Sequence, residues 1–170
     1  MTKKTHFLEN MEHYWDNDFI VKIPTEDSSR IGISDIDSVF LYMYGIPQFC
    51  APHISLIYPF SSSDNFLEIG YNQYEKNIEY NLKTREIRTY SENNEELFIS
   101  YGFENFIQSL MYFADLIEES ISKNGKNAFL ERNVPSYLIE YFLNNVSRLN
   151  DIKEPNGFFW NHECNRLFID

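Results

Sequence analysis

The sequence predicts an α+β fold in which a central, largely antiparallel β-meander is flanked by helices. Between residues 66 and 101, apolar and polar residues alternate with a period of two, which is typical of strands with one exposed face. From Phe103 to Ile121, apolar residues recur at helical spacing instead. The 170-residue chain is 43% hydrophobic and 17% aromatic, enough to bury a core of its own. We therefore expect one domain over residues 1–170.

The N-terminal part is expected to hold two short helices and a strand. Phe7, Met11 and Tyr14 have helical spacing, and the apolar run Phe19–Ile23 predicts a strand. The polar stretch 25–30 is interpreted as a connector. A second helix begins after Ser34 or Asp35, either of which can cap it, and includes Tyr42. Gly45 and Pro47 end that helix, with Gly45 in the left-handed conformation.

The middle of the chain carries the strands of the meander. An extended run is expected at residues 53–60 and a loop at residues 61–64. The meander strands follow near residues 67–71, 78–82, 87–89 and 97–101. Turns at residues 83–86 and 91–96 join the last three strands.

The C-terminal part is expected to be helical and to end in an aromatic tail. Residues 123–127 terminate the helix that follows the meander, and a further helix spans residues 135–149, with Pro135 in its first turn. The tail contains Phe158–Trp160 and Leu167–Ile169, which are apolar enough to dock on the rest of the molecule.

The charge of the chain excludes several classes of partner. Its net charge of −12 and sequence pI of about 4.7 oppose binding to nucleic acid or to an anionic membrane surface. A basic protein is attracted instead. Neither a signal peptide nor a run of transmembrane length is apparent, and two cysteines are too few for a secreted disulfide scaffold. We expect a cytoplasmic protein with two buried free thiols, and a single disulfide bridge is the alternative.

Candidate catalytic and metal-binding residues are sparse. Cys50, His53, His162 and Cys164 form a zinc-competent set, so a small zinc-dependent enzyme is an alternative. However, the two halves of the set are more than 100 residues apart in sequence. The chain has no nucleophile elbow and no phosphate-binding glycine loop. Acidic pairs such as Asp35 and Asp37 are expected on a solvated face. The sequence predicts a protein that is not an enzyme and needs no metal or cofactor.

An acidic surface is the best candidate for a functional site. Between residues 64 and 119 the chain carries twelve acidic residues against four basic ones, which accounts for −8 of the total charge of −12. Alternation along the strands places Glu68 and Glu79 on the exposed face. The turn that follows adds Glu92, Glu95 and Glu96. These five glutamates are the predicted partner-binding residues, because concentrated negative charge steers a basic partner.

Several short motifs resemble the SUKH superfamily. They cover about residues 35–122, roughly half of the chain. The family pattern has a Gly-apolar-Pro turn after a helix, a strand ending in glycine, a hairpin, and a strand that leads into a helix starting Leu-Glu-x-Phe. The matching segments here are Tyr44–Pro47, Phe66–Gly70, Ile78–Leu82 and Leu97–Phe106. Two positions depart from the pattern: Gly102 replaces a serine cap, and the turn at residues 83–86 lacks glycine.

The resemblance implies a non-enzymatic α+β domain with a central sheet flanked by helices. Most bacterial members of the superfamily are immunity proteins, which neutralise a cognate toxin that is often a nuclease. It therefore implies that this chain occludes a basic toxin with its acidic surface. We expect a monomer or homodimer. An intracellular scaffold or regulatory protein-interaction module of the same fold is the alternative.

Overall fold

The computed structural model describes residues 3–152 and 157–167, and it confirms the α+β class. The helices are α1 (Lys3–Tyr14), α2 (Thr25–Arg30), α3 (Asp35–Met43), α4 (Gly102–Asn124), α5 (Ser136–Leu149) and α6 (Phe159–Asn165). The strands are β1 (Ile20–Val21), β2 (Ile46–Pro47), β3 (Phe49–Cys50), β4 (Ile54–Ser63), β5 (Phe66–Tyr71), β6 (Asn77–Asn81), β7 (Glu86–Tyr90) and β8 (Glu96–Tyr101).

Six of the strands form the predicted antiparallel meander. Their order in the sheet is β3-β4-β5-β6-β7-β8, so each strand pairs with its neighbour in sequence. Strands β1 and β2 form a separate two-stranded antiparallel sheet. Short turns suffice for such a topology, which is why alternating segments separated by polar turns predict it well.

The core lies between the inner face of the meander and α4. Strand residues at every second position are buried there, as the alternation predicts. The fully buried inner-face residues include Leu67, Ile69, Ile78, Tyr80, Ile87 and Ile99. Phe103, Phe106, Ile107 and Leu110 come from α4, and the Tyr80 and Phe103 rings stack with centroids 5.1 Å apart. None of the helices in the described residues is long and apolar enough to span a membrane.

The aromatic tail docks beside the last strand, as predicted for its described part. The Phe98 amide donates to the Gly157 carbonyl at 2.8 Å, and the Trp160 indole donates to the Ile99 carbonyl at 3.2 Å. Trp160 is fully buried, with its ring 5.8 Å from that of Phe113 in α4. The tail therefore covers the outer edge of β8. The predicted contribution of Phe168 and Ile169 lies outside the described residues.

Three predicted boundaries were wrong. Residues 25–30 form α2 and not a connector, because Pro24 sets up the first turn and acidic residues favour its N-terminus. Residues 61–63 continue β4, since they pair with Phe66–Glu68 across a tight turn. The strand expected at residues 19–23 is limited to Ile20–Val21, where β2 provides the only pairing partner that the structure describes.

A buried carboxylate joins three parts of the fold. Asp37 in α3 is fully buried, so its expected place on a solvated face was wrong. It accepts hydrogen bonds from Arg85 Nε at 2.7 Å, from the Tyr80 hydroxyl at 2.8 Å and from the Phe103 amide at 2.9 Å. Through these bonds α3 is tied to the sheet, to the β6–β7 turn and to the start of α4.

Gly102 begins α4 with a φ of 70°. A Cβ atom there would lie 2.8 Å from Asp37 Oδ1 and would collide with the Arg85 guanidinium. The missing serine cap is replaced by a remote one, since Asp37 accepts from the amide of Phe103 in the first turn of α4. Glycine is required here by both the backbone conformation and the space available.

Candidate partner-binding surface

The outer face of the meander carries two of the predicted glutamates. Glu68 in β5 and Glu79 in β6 are cross-strand partners, and both side chains are half-buried on the face opposite the core. The sequence therefore placed them on the correct face. Two like charges directly opposite each other destabilise an antiparallel pair. A positive charge nearby is needed to offset this repulsion.

Arg88 in β7 supplies that charge. It pairs with Glu79 in the strand register, and its Nε and Nη2 atoms both lie 3.0 Å from Glu79 Oε2. Its Nη1 atom donates to Glu96 Oε2 at 2.6 Å. The guanidinium carbon also lies 4.0 Å from the centre of the Phe66 ring. Arg88 therefore joins charges from three strands into one network.

This network changes the role expected for Glu79 and Glu96. Their carboxylates are bound within the molecule, so a partner has to compete with Arg88 for them. The Glu79 side chain is only 20% exposed, whereas that of Glu96 is 57% exposed. Glu79 is thus chiefly a structural residue of the sheet face, and Glu96 is still accessible at its edge.

Glu92 and Glu95 lie at the exposed turn between β7 and β8. The turn is held by the Ser91 amide, which donates to the Glu95 carbonyl at 2.9 Å, and by the Ser91 hydroxyl, which accepts from the Glu95 amide at 3.1 Å. Asn94 takes a φ of 62° and its side chain accepts from Lys76 Nζ at 2.7 Å. No basic side chain in the described part of the chain forms an ion pair with Glu92 or Glu95. This turn therefore presents two carboxylates without an ion-pair partner among the described residues, although the Lys76 ammonium is bound nearby at Asn94.

The five predicted residues fall into two groups. Glu92 and Glu95 project from the turn, as predicted. The prediction that Glu96 lies in this turn was wrong, because Glu96 pairs with Tyr90 as the first residue of β8. Glu96 therefore shares the outer sheet face around Arg88 with Glu68 and Glu79. Sequence reasoning missed Arg88 as the centre of this outer-face group. The sequence did contain a signal for this role, because the alternation along β7 places Arg88 on the outer face.

The residues of the zinc-binding alternative do not come together as a metal site. Within residues 3–152 and 157–167, no group of three or more His, Cys, Asp or Glu side chains is arranged to hold a metal ion. Cys50 and Cys164 are both buried free thiols, as expected. Burial raises the pKa of the Cys50 thiol, and it raises that of Cys164 to about 12. Both thiols are therefore protonated at neutral pH and are poor nucleophiles or metal ligands.

A second buried carboxylate escaped the sequence analysis. Glu163 in α6 is 4% exposed and accepts from Gln73 Nε2 at 3.2 Å and from Arg166 Nη1 at 3.1 Å. Burial raises the pKa of this carboxyl above its ordinary value, against the opposing effect of Arg166. The contacts join α6 to the β5–β6 turn, so Glu163 helps to anchor the tail.

Comparison with known proteins adds no relative: no family model matches the chain, and neither a curated protein nor a solved structure matches it.

Proposed function

We propose that this chain is an immunity-type protein of the SUKH superfamily that binds and neutralises a basic protein toxin, with a nuclease as the expected kind. The exposed pair Glu92 and Glu95 carries the proposal, because neither carboxylate has an ion-pair partner among the described residues and both lie on a hydrogen-bonded turn. Such a site binds cations of a partner without first breaking internal ion pairs. Little conformational entropy is lost from the backbone on binding.

The charge of the chain supports the same proposal. A net charge of −12 attracts a basic protein over long distance and opposes direct binding to nucleic acid. A nuclease binds phosphates with basic residues, and carboxylates on this surface can occupy that groove in their place. The action is stoichiometric occlusion and requires no catalytic residue. We place it in the cytoplasm, where two free thiols persist.

The resemblance over residues 35–122 is the second support. It rests on the segments Tyr44–Pro47, Phe66–Gly70, Ile78–Leu82 and Leu97–Phe106. The last three lie in the meander and the start of α4, whereas the first follows α3 and contains β2. Most bacterial members of that superfamily are immunity proteins. The intracellular scaffold is the competing function, and co-expression with the neighbouring gene product separates the two.

Co-expression with the product of the neighbouring gene tests the function. If that gene encodes a large protein with a C-terminal effector domain, we expect this chain to restore growth and to co-purify with the effector domain. Growth that stays arrested, with no complex on purification, would refute the immunity role. A neighbouring gene of another kind, together with a stable complex with its product, would favour the scaffold.

Charge reversal at the turn tests the surface. The double variant Glu92→Lys/Glu95→Lys is expected to slow association with the effector domain about tenfold at low salt and to flatten its salt dependence. The matched control is Glu26→Lys/Glu140→Lys, which changes the net charge equally at exposed positions on α2 and α5. Equal effects of the two double variants would show that only net charge matters, and would remove the turn from the proposed site.

A further inference from the structure

A groove runs between α1, α3 and the first turns of α4. It has a volume of about 790 Å³. Its apolar lining consists of Phe7, Ile36, Val39, Phe40, Met43 and Tyr44. We call this feature the α3 groove. Its size suits several side chains of a partner segment.

The floor of the α3 groove is aromatic. The rings of Phe7 and Phe40 meet edge to face with centroids 5.6 Å apart, and the Tyr44 ring lies 5.0 Å from each of them. Phe40 is buried, and Phe7 and Tyr44 are half-buried. A floor of aromatic rings contacts both apolar side chains and the alkyl part of lysine or arginine.

One wall of the α3 groove is an exposed apolar row on α3. Ile36 is 65% exposed and Val39 is 52% exposed. They lie one turn apart on the face of α3 opposite the one that packs in the core. Such residues at helical spacing beside a concave aromatic surface are typical of a groove that accepts a helix.

The charged residues in the described lining of the α3 groove are acidic. Asp35 and Glu104 lie in the first turns of α3 and α4, and the described lining includes no lysine or arginine. The pKa of Tyr44 is raised, first by burial and then by the negative charge of Glu104. The negative charge of Glu104 therefore acts on one ring of the aromatic floor.

We propose that the α3 groove binds an amphipathic helical segment of a basic protein, with apolar residues on the floor and a lysine or arginine facing Asp35 and Glu104. Charge complementarity selects this occupant. A second copy of this chain would bring a further net charge of −12 to the contact. This proposal does not depend on the toxin-binding turn, because the two sites are associated with opposite ends of β7. Helix α3 contacts Arg85 just before β7, whereas Glu92 and Glu95 follow β7.

Two model peptides test the charge and the apolar requirement together. The probe is a fluorescein-labelled amphipathic helix of leucine and lysine, and its counterpart has glutamate in place of every lysine. Fluorescence anisotropy with the full chain is expected to show binding of the lysine peptide at least about tenfold tighter than that of the glutamate peptide. Part of this binding should persist in 0.5 M NaCl, because the apolar contact is not screened.

Substitutions in the groove distinguish peptide binding at this site from nonspecific attraction of a basic peptide to an acidic protein. Val39→Asp and Ile36→Asp are each expected to weaken the lysine peptide about tenfold. The control Tyr141→Asp alters an exposed aromatic residue on α5, outside the groove. All three variants add a negative charge, so attraction by charge alone predicts slightly tighter binding for each. The exposed positions allow folding, which an unchanged circular dichroism spectrum verifies.

Three results would overturn the proposal. One is unchanged peptide affinity in both groove variants, and another is an equal loss in the Tyr141→Asp control. The third is a concentration-dependent dimer of the wild-type chain, seen by sedimentation, that Val39→Asp abolishes. That result would make a second copy the occupant of the groove.

Discussion

Gly102 shows how a single residue supports contacts with two distant parts of the chain. Its amide donates to the Arg85 carbonyl at 2.8 Å, and its positive φ directs the next amide, that of Phe103, toward Asp37. A side chain at this position would occupy space already filled by Asp37 and Arg85. Local sequence indicates only a weak cap here, because the groups that compensate for it are 17 and 65 residues away along the chain.

We expect Gly102→Ala to lower the free energy of unfolding by about 3 kcal/mol. Left-handed backbone accounts for about 1 kcal/mol of this cost, and displacement of the Asp37–Arg85 pair accounts for the rest. Gly125→Ala is the matched control, because Gly125 also has positive φ, at 89°, but its Cβ would meet nothing within 4 Å. Urea titration of both variants measures the difference. Equal losses would mean that the collision at Gly102 relaxes at no cost.

At the scale of elements, a local sequence pattern predicts a strand or helix well when the residues of that element determine its structure. Alternation places β5, β6, β7 and β8 correctly, and the 3.6-residue period identifies α4 and α5. Helix α2 was not predicted, because a helix of six residues is too short to give a periodic signal. The pairing of Glu79 and Glu96 with Arg88 was missed for another reason: alternation assigns a face, but only the strand register assigns a partner.

Contacts between distant elements are the part that sequence reasoning could not supply. Asp37 joins α3 to residues 43, 48 and 66 positions further along the chain. Nothing near Asp37 distinguishes it from the exposed Asp35, since both acids lie in the first turn of the same helix. The exposed face of α3 was likewise not predicted, because Ile36 and Val39 continue an apolar pattern that normally marks a core.

The Asp37 contacts make the docking of α3 sensitive to acid. Burial alone would raise the pKa of Asp37, but hydrogen bonds from Arg85, Phe103, Tyr80 and Ser34 outweigh burial and hold the pKa below its ordinary value. A lowered pKa favours the folded state while the carboxyl is ionised in the unfolded chain, above about pH 4. That contribution is lost as the pH falls through the pKa of the folded state.

We therefore expect Asp37→Asn to lower the free energy of unfolding by about 3 kcal/mol at pH 7, because Arg85 loses its charged partner. The difference from wild type should narrow below about pH 4, as protonation removes the same charge from the native protein. Urea titrations between pH 3 and pH 7 measure it. Asp35→Asn, an exposed neighbour in the same turn, should change stability by less than about 0.5 kcal/mol. A pH-independent difference for Asp37→Asn would contradict the electrostatic explanation.

At the scale of the molecule, nearly all buried apolar residues of the described chain belong to one cluster. It extends from Met11 in α1 to Cys164 in α6 and includes residues of the sheet, α4 and α5. The prediction of a single domain over residues 1–170 requires more than this, namely that the ends of the chain unfold together. Cys50 and Cys164 are natural reporters of that property, since they lie in β3 and α6 and both are buried.

We expect the two thiols to become reactive through the same opening of the molecule. In the native state, burial leaves both thiols protonated and shielded, so a disulfide reagent should modify them only when the chain opens. The variants Cys50→Ala and Cys164→Ala each leave one thiol, whose rate of modification in low urea gives its free energy of opening. A single cooperative domain predicts equal free energies with the same urea dependence, each matching global unfolding of that variant. A lower free energy of opening with a weaker urea dependence at Cys164 than at Cys50 would contradict a single cooperative domain. It would mean that the tail containing α6 unfolds separately, with loss of the Trp160 and Glu163 contacts exposing Cys164 while the sheet stays folded.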